Sequence, residues 1–353
     1  MGHHQPAWLM RSQKERRSMN NNNAQAIPLE QPRTMGQLKT ANHLLGDREA
    51  LDKAWERDGY WYFKGVLDKG VIGEMRERWI EYLQRHGLID PGVNENRYNG
   101  SSFEGKSVSP AELARVSEFN ENNMHRMLTE NPKIVATMKE LLGDDPFWLP
   151  IAEYRANPPV EDPGQNRFIY PHQDGFYSRG LEMKICWVPI DTVDDEVGGC
   201  AWVEGAHRGP ILHDLNNPPQ FPIPADLIPI EGWKRADFEA GDIVIFDLNL
   251  PHSGLTNLSR DRFRMSMDIR VTEASGKVPS IGGVVSVTPK QITLFDDRAQ
   301  RQKTFQIEPQ TYVRGTDGKK REGADIPQTF QIGETVLVNS DDGRAATLVR
   351  SIH

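Results

Sequence analysis

Two histidines and an aspartate have the residue types and the spacing of a metal site. His172 and Asp174 stand two positions apart, and His252 follows the apolar run 242–247. In a strand, residues i and i+2 project to the same side, so His172 and Asp174 can face one ion. Two imidazoles and one carboxylate occupy one face of an octahedral iron and leave positions open for a cosubstrate and dioxygen. The pattern therefore predicts a 2-His-1-carboxylate Fe(II) site.

A His-x-Asp pair alone is a weak signal, because short motifs recur by chance. The competing interpretation is a solvated loop, or a histidine that is satisfied in the core. The sequence of residues 242–247, Asp-Ile-Val-Ile-Phe-Asp, indicates a buried strand. That strand would place His252 at its end. The competing interpretation does not explain this position, so we prefer the metal site.

A second strand is predicted over residues 264–271, where polar and apolar residues alternate strictly. A surface hairpin with one solvent-exposed face would give the same alternation. An Arg-x-Ser pair that lies a short hairpin after His252 can, however, hold a carboxylate through a bidentate guanidinium contact and a hydroxyl hydrogen bond. A 2-oxoglutarate site requires this combination. The polar residues that share one face of the strand are Arg264, Ser266, Asp268 and Arg270.

With these residues in place, the chain resembles the phytanoyl-CoA dioxygenase family of Fe(II)/2-oxoglutarate oxygenases. The resemblance extends over about residues 47–272 and depends on several short segments. They are Asp58-Gly59-Tyr60-Trp61, Asn157-Pro158-Pro159, His172-Gln173-Asp174, Gly198-Gly199-Cys200 with residues 204–209, and His252 with Asn257, Ser259 and Arg264.

The resemblance implies a role for each matching side chain. Arg264 would bind the distal carboxylate of 2-oxoglutarate with the help of Ser266, and Trp187 would line the cofactor pocket. We expect no catalytic residue beyond the metal ligands. Because Asp174 is present, halogenation is disfavoured, since related halogenases have a small residue there. The iron ligands that the resemblance implies are His172, Asp174 and His252.

The chain departs from the family pattern at two positions. In relatives the arginine often stands one residue closer to the last histidine, at the position of Phe263. One extra residue in the turn 259–262 would restore the register for Arg264, and Arg262 is the alternative. Relatives also often have a serine where this chain has Gly254.

Polar side chains that we expect to face the pocket favour a polar or mixed small molecule as the substrate. No basic patch is visible that would bind the phosphates of an acyl-CoA. A structural hydrogen-bond network would explain Asp268 and Arg270 equally well. The expected substrate contacts are Tyr154, Asn157, Gln173 and Arg270, with Arg155 and Asp268 as further candidates.

The implied activity is the hydroxylation of an unactivated C–H bond of a small organic molecule, in natural product biosynthesis. 2-Oxoglutarate would be converted to succinate and CO2. Two alternatives stay open. A cupin-like metal enzyme has the same barrel without using 2-oxoglutarate, and a non-catalytic binding protein could retain the barrel. A zinc hydrolase is disfavoured, because we find no His-Glu-x-x-His helix.

Composition argues against several classes of protein. The formal net charge is −8 over 353 residues, and no long block of Lys or Arg suggests binding to nucleic acid. No apolar run reaches the ~18 residues of a membrane helix, and no signal peptide is recognisable. Only Cys186 and Cys200 occur, so no disulfide framework is expected. We expect a cytoplasmic enzyme that acts on a small molecule with dioxygen.

The chain is predicted to have three parts. Residues 1–40 are polar and predicted to be disordered. Residues 41–274 are predicted to form the dioxygenase domain, and residues 275–353 a C-terminal β-rich extension. For the extension, packing on the core is favoured over a contact in a homo-oligomer or a part in the substrate pocket. A hairpin is predicted around residues 339–343.

The dioxygenase domain is predicted to be mainly β with flanking helices. Helices are expected over 47–58, 71–86 and, broken near residue 131, over 110–142. Short strands with Gly and Pro turns follow and favour a double-stranded β-helix, the jelly-roll or cupin-like core. The long segment 208–233 is either a lid over the active site or an inert insertion.

Overall fold

A computed structural model describes residues 35–160, 167–178, 180–218, 221–224 and 226–352. The chain divides into two compact units. The first unit comprises Met1–Gly143, Ala152–Asp174 and Lys184–Arg270, and the second comprises Asp144–Ile151, Gly175–Met183 and Val271–His353. The second unit thus includes two short segments from the predicted dioxygenase domain. That the C-terminal extension packs on the jelly-roll stays a prediction.

The helices of the first unit form where the sequence combines a capping side chain with an apolar face. The carboxylate of Asp47 accepts a hydrogen bond from the amide of Ala50 and caps α1 (Arg48–Asp58). Asp68 caps α2 (Lys69–Arg85) in the same way. Both predicted helices are confirmed. Within the described ranges, no helix has the length and apolar character needed to cross a membrane.

Residues 110–142 form four helices where two were predicted. The break that was expected near residue 131 is confirmed, because Asn131 caps a new helix that begins at Pro132. The four helices are α3 (Pro110–Leu113), α4 (Ser117–Glu121), α5 (Arg126–Thr129) and α6 (Pro132–Leu142).

Two sheets form the jelly-roll core. One has the order β2 (Tyr60–Phe63), β7 (Ile243–Asp247), β4 (Lys184–Pro189), β9 (Arg264–Glu273) and β3 (Pro146–Asn157). The other has the order β1 (Gly36–Gln37), β6 (Trp233–Arg235), β5 (Cys200–Val203) and β8 (His252–Gly254).

Aromatic side chains join these two sheets. The ring of Trp202 on β5 lies 5.8 Å from that of Trp187 on β4 and 5.7 Å from that of Phe246 on β7, measured between centroids. Apolar side chains from facing strands therefore fill the space between the sheets. The predicted fold class, a jelly-roll core with flanking helices, is confirmed.

The second unit contains a seven-stranded sheet with its own apolar core, which includes Val284, Ile292, Leu294 and Phe305. The predicted hairpin is confirmed, since β15 and β16 pair antiparallel across residues 340–346. A short helix, α7 (Ile326–Thr329), accompanies the sheet. The strand order is β12 (Arg301–Gln306), β11 (Gln291–Asp296), β10 (Ser280–Thr288), β15 (Thr335–Ser340), β16 (Ala346–Ser351), β13 (Tyr312–Arg314) and β14 (Lys320–Arg321).

The predicted disordered segment, residues 1–40, is wrong at its C-terminal end. Gly36 and Gln37 form β1, which pairs in parallel with β6, and the flanking Met35 and Leu38 are buried. Pairing with a strand that is remote in sequence supplies hydrogen bonds that local composition does not reveal. Residues 1–34 lie outside the described residues.

The two cysteines pack as small apolar side chains, as predicted. Cys186 and Cys200 are both buried and unpaired as thiols. Burial raises the pKa of each thiol to about 12, which keeps the sulfur protonated at neutral pH. Neither thiol is therefore suited to act as a nucleophile.

Gly198 is a position where the backbone requires glycine. Its φ is +94°, and an added Cβ would lie 2.7 Å from the carbonyl oxygen of Thr256. We expect Gly198→Ala to lower the free energy of unfolding by about 2–4 kcal/mol, because the steric clash adds to the backbone strain. Gly46→Ala is the matched control, since its φ is +81° and its Cβ would meet nothing within 4 Å.

The control should lose only about 1–2 kcal/mol, the cost of the left-handed backbone. Denaturant unfolding of the two variants measures the difference. Equal losses would show that the close approach of the Thr256 carbonyl is not the cause.

Candidate metal centre

The three predicted ligand residues lie together at one end of the jelly-roll. His172 and His252 form an isolated antiparallel bridge, and their ring centroids are 4.2 Å apart. Asp174 opens a short 3-10 helix, and its Oδ1 lies 3.6 Å from Nε2 of His172. One candidate ligand atom from each residue lies within 4.8 Å of the others, and no second group of this kind occurs in the described part of the chain.

Backbone carbonyls fix the tautomers of both imidazoles. Nδ1 of His172 lies 2.8 Å from the carbonyl oxygen of Tyr170, and Nδ1 of His252 lies 3.0 Å from that of Leu250. A carbonyl oxygen only accepts, so each Nδ1 carries the proton and donates it. Nε2 is then the nitrogen that can ligate a metal, which is the arrangement found in metal-binding histidines.

Electrostatics favour the protonation states that bind a cation. Burial lowers the pKa of His252 to about 3, so this imidazole is neutral. Burial alone would raise the pKa of Asp174. The contact with His172 and the charge of Arg270, whose Nη2 lies 3.8 Å from Oδ2 of Asp174, outweigh it and hold the pKa well below its usual range. A neutral imidazole and an ionised carboxylate suit a divalent metal.

Arg264 and Ser266 lie on β9 with unmet hydrogen-bonding capacity. Arg264 donates from Nη1 to the carbonyl of Gly199 (3.0 Å) and from Nη2 to Oδ1 of Asn157 (2.6 Å). Its Nε and the hydroxyl of Ser266 are both buried and have no protein partner. Buried polar groups are nearly always hydrogen-bonded, so these two donors fit a ligand that brings acceptor oxygens. The distal carboxylate of 2-oxoglutarate is such a ligand.

The structure also explains the departures from the family pattern. A Cβ at Gly254 would lie 3.7 Å from both Nη atoms of Arg264, so the position where relatives have serine is directly beside the guanidinium. Arg262 pairs with Asp194 (2.8 Å) and Glu196 (3.2 Å), and its side chain is 30% exposed. Arg264, and not Arg262, therefore lies next to the strand that carries His252.

Trp187 faces the space between the two sheets. Its ring contacts Phe238 at 4.8 Å and Trp202 at 5.8 Å, again between centroids. The indole Nε1 is buried without a hydrogen-bond partner. The indole Nε1 of the adjacent Trp202 is likewise buried without a partner.

Tyr154, a predicted substrate contact, lies on the face of β3 that packs against the helices. Tyr154 is fully buried on the outer face of β3, with its ring 5.8 Å from Trp79 and 5.6 Å from Phe119. Its hydroxyl accepts a hydrogen bond from the amide of His125 (2.7 Å). Alternation along β3 gives Asn157 the opposite direction, where it holds Arg264.

Gln173, also a predicted substrate contact, has its side-chain amide engaged by backbone groups. Gln173 is fully buried, and its side-chain amide donates to the carbonyls of Asn249 (2.8 Å) and Pro210 (3.3 Å). Its Oε1 accepts from the amide of Leu212 (2.8 Å). Because Gln173 stands between two residues that face the cluster, its own side chain points the other way and anchors the long segment 208–233.

Sequence reasoning missed His213, which completes this anchor. Its Nε2 accepts a hydrogen bond from the amide of Gln173 (2.9 Å), and its Nδ1 donates to the carbonyl of Phe221 (2.6 Å). Burial lowers the pKa of His213 to about 4, so the ring is neutral and can make both bonds. The sequence signal for His213 is a single histidine in a Pro-rich segment, which is too weak to predict this role.

Arg155 and Asp268 belong to an ion-pair network, as the structural alternative for Asp268 predicted. Arg155 pairs with Glu153 (2.7 Å) and with Asp268 (3.2 Å). Glu153 also pairs with Arg115 (2.6 Å). Two cations and two anions thus balance each other beside the metal centre.

Comparisons with known proteins agree with this geometry. The family described as Phytanoyl-CoA dioxygenase (PhyH) matches residues 55–266. The 1-deoxypentalenic acid 11-beta-hydroxylase of Streptomyces arenae is 30% identical over 245 residues, which cover 66% of this chain and 83% of that protein. The protein of the same name from Streptomyces exfoliatus is 28% identical over 244 residues, with the same coverage of 66% and 83%.

Among solved structures, the epimerase SnoN in complex with Fe3+, α-ketoglutarate and nogalamycin RO is 25% identical. The match covers 65% of this chain and 86% of that one, with a TM-score of 0.43. The family match spans more than half of the sequence and includes all three residues of the candidate metal centre. The chain therefore belongs to the phytanoyl-CoA dioxygenase family and is an Fe(II)- and 2-oxoglutarate-dependent dioxygenase.

Proposed function

We propose that the protein hydroxylates an unactivated C–H bond of a small organic molecule in secondary metabolism. Iron, when bound, activates dioxygen: one oxygen atom enters the substrate and the other enters the succinate formed, with CO2, from 2-oxoglutarate. The observation that carries the proposal is the cluster of His172, Asp174 and His252, whose candidate ligand atoms lie within 4.8 Å of one another. In this proposal the three side chains are the iron ligands.

Arg264 is the proposed partner of the distal carboxylate of 2-oxoglutarate, and Ser266 assists it. The unpartnered Nε of Arg264 and hydroxyl of Ser266 support this role, because both donors are buried. Asn157 acts as a positioning residue, since its Oδ1 holds Nη2 of Arg264 at 2.6 Å. Trp187 is proposed to line the same pocket with its unpartnered indole N–H.

The two Streptomyces relatives support hydroxylation as the reaction, because both are named as hydroxylases of 1-deoxypentalenic acid. Their names also make this acid the first compound to test. The aromatic layer formed by Trp187, Trp202 and Phe246 excludes water from the barrel interior, which protects a reactive site from side reactions.

We expect succinate formation by the purified protein to require Fe(II), 2-oxoglutarate and dioxygen together. A panel of small organic molecules that includes 1-deoxypentalenic acid should contain at least one compound that stimulates the reaction. Its product should be heavier by one oxygen atom in mass spectrometry. An excess of iron chelator is the control and should stop turnover. Succinate formation that continues unchanged in the chelator would refute the proposal.

A further inference from the structure

Arg270 carries a positive charge whose nearest carboxylate belongs to a proposed iron ligand, Asp174. It lies on the same face of β9 as Arg264, and it is only 7% exposed. Its Nη1 donates to the carbonyl of Asp268 (3.2 Å), while Nη2 stays 3.8 Å from Asp174, beyond hydrogen-bond distance. A guanidinium has five N–H donors. In the described part of the chain, Arg270 thus has one protein hydrogen bond and one long ion pair, which is with Asp174.

The other carboxylates near Arg270 are paired with other arginines. The carboxylate of Asp268 is paired with Arg155 (3.2 Å), and Arg155 and Arg115 also share Glu153. The nearest carboxylate to Arg270 is therefore that of Asp174, which is a proposed iron ligand.

When the formal charges of the site with bound Fe(II) and 2-oxoglutarate are added, one positive charge remains. The two charges of Fe(II) and the charge of Arg264 are cancelled by Asp174 and by the two carboxylates of 2-oxoglutarate. Because the charge of Asp174 is already counted against iron, the charge of Arg270 then has no counterion of its own. Because an uncompensated charge is costly to keep in a largely buried site, an anionic group of the substrate is the natural partner.

Two exposed apolar side chains lie on segments that are attached to the candidate metal centre. Ile169, which precedes His172 by three residues, is 51% exposed, and its amide donates to the carbonyl of Gly254 (2.9 Å). Ile211 is 46% exposed and stands between the two residues that Gln173 anchors. Exposed apolar side chains on segments attached to a metal centre favour a substrate with an apolar body.

We infer that the substrate is an apolar molecule with one carboxylate, and that Arg270 binds this carboxylate as a specificity-determining residue. The planar guanidinium suits a bidentate contact with a carboxylate. The inference rests on the proposed function, because it places the substrate beside the iron ligands. It also fixes an orientation, since the carboxylate end lies at Arg270 and the oxidised carbon lies nearer the metal.

Equilibrium dialysis under anaerobic conditions tests this inference without turnover. The protein is loaded with Fe(II) and 2-oxoglutarate and offered adamantane-1-carboxylic acid, cyclohexylacetic acid and dodecanoic acid, each alongside its methyl ester. We expect at least one acid to bind while its ester does not. Arg270→Gln should weaken binding of that acid by about 10–100-fold, as expected for losing hydrogen bonds to a charged group.

Two further variants separate charge recognition from structural damage. Arg270→Lys keeps the positive charge but removes the planar guanidinium that makes a bidentate contact. The acid should therefore still bind better than its ester. Arg126→Gln makes the same charge change on an exposed residue that pairs with Glu130, and it should bind like wild type. Iron content is measured for each variant, because Arg270 lies near Asp174.

The inference is overturned if the esters bind as well as the acids, if no acid binds, or if Arg270→Gln keeps the preference for acids. These results are distinct from failure of the proposed function. A wild-type protein that binds neither Fe(II) nor 2-oxoglutarate would sink the proposed function itself. A wild-type protein that binds both but does not discriminate acid from ester would sink only the role of Arg270.

Discussion

Asp174→Ala is expected to abolish Fe(II) binding and to reduce succinate formation by more than about 100-fold. Changes in the residues around metal ligands already cost 10–100-fold, and this change removes a ligand outright. Asp174 is also the sole carboxylate of the cluster, so the two imidazoles left behind carry no negative charge to hold a dication. Iron content after anaerobic loading, and succinate released in air, measure the two effects.

Asp52→Ala provides the matched control for this prediction. Asp52 is an exposed aspartate on α1 that pairs with Arg48, so its loss changes the same charge far from the cluster. The control should retain wild-type iron content and turnover. Undiminished succinate formation in Asp174→Ala would contradict the assignment of Asp174 as a ligand, whatever the control does.

The metal centre could be predicted from sequence because its information is local. The i, i+2 spacing of His172 and Asp174, and the position of His252 after a buried run, survive without knowledge of the rest of the fold. The expected strand at residues 172–174 is a single bridge followed by a 3-10 helix. The side chains of His172 and Asp174 nevertheless point toward the same place, as the cluster requires.

The same spacing rule argues against two of the predicted substrate contacts, Gln173 and Tyr154. Gln173 stands between two cluster residues and must point away from them, and its amide anchors residues 210–212. Tyr154 alternates with Asn157 along β3, so the two side chains lie on opposite faces of one sheet. Polarity alone selected both residues as candidates, and polarity does not give direction.

Features that depend on remote pairing could not be predicted. Gly36 and Gln37 become ordered because β6 offers them a partner strand about two hundred residues later. The second unit likewise includes Asp144–Ile151 and Gly175–Met183, which are separated in sequence from its main segment. Composition and periodicity describe a segment by itself, so they do not reveal which partner it meets.

The surroundings of Arg264 lead to the second large effect. Arg264→Ala is expected to weaken 2-oxoglutarate binding by about 100-fold, because a charge-assisted bidentate contact is among the strongest hydrogen-bonded pairs. The change also leaves Oδ1 of Asn157 without its Arg264 donor, whereas the carbonyl of Gly199 still accepts from the amide of Leu255. A cupin-like enzyme that does not use 2-oxoglutarate would show no such dependence.

Competition between 2-oxoglutarate and 2-oxobutyrate, which lacks the distal carboxylate, separates lost recognition from general damage in this variant. Wild type should strongly prefer 2-oxoglutarate, whereas Arg264→Ala should bind the two 2-oxoacids about equally. Arg262→Ala is the matched control, since Arg262 carries the same charge two residues away and pairs with Asp194 and Glu196 instead. It should keep the wild-type preference. If Arg262→Ala lost the preference and Arg264→Ala kept it, the register of the arginine would be the one that relatives more often show, and the site would have to be rebuilt around Arg262.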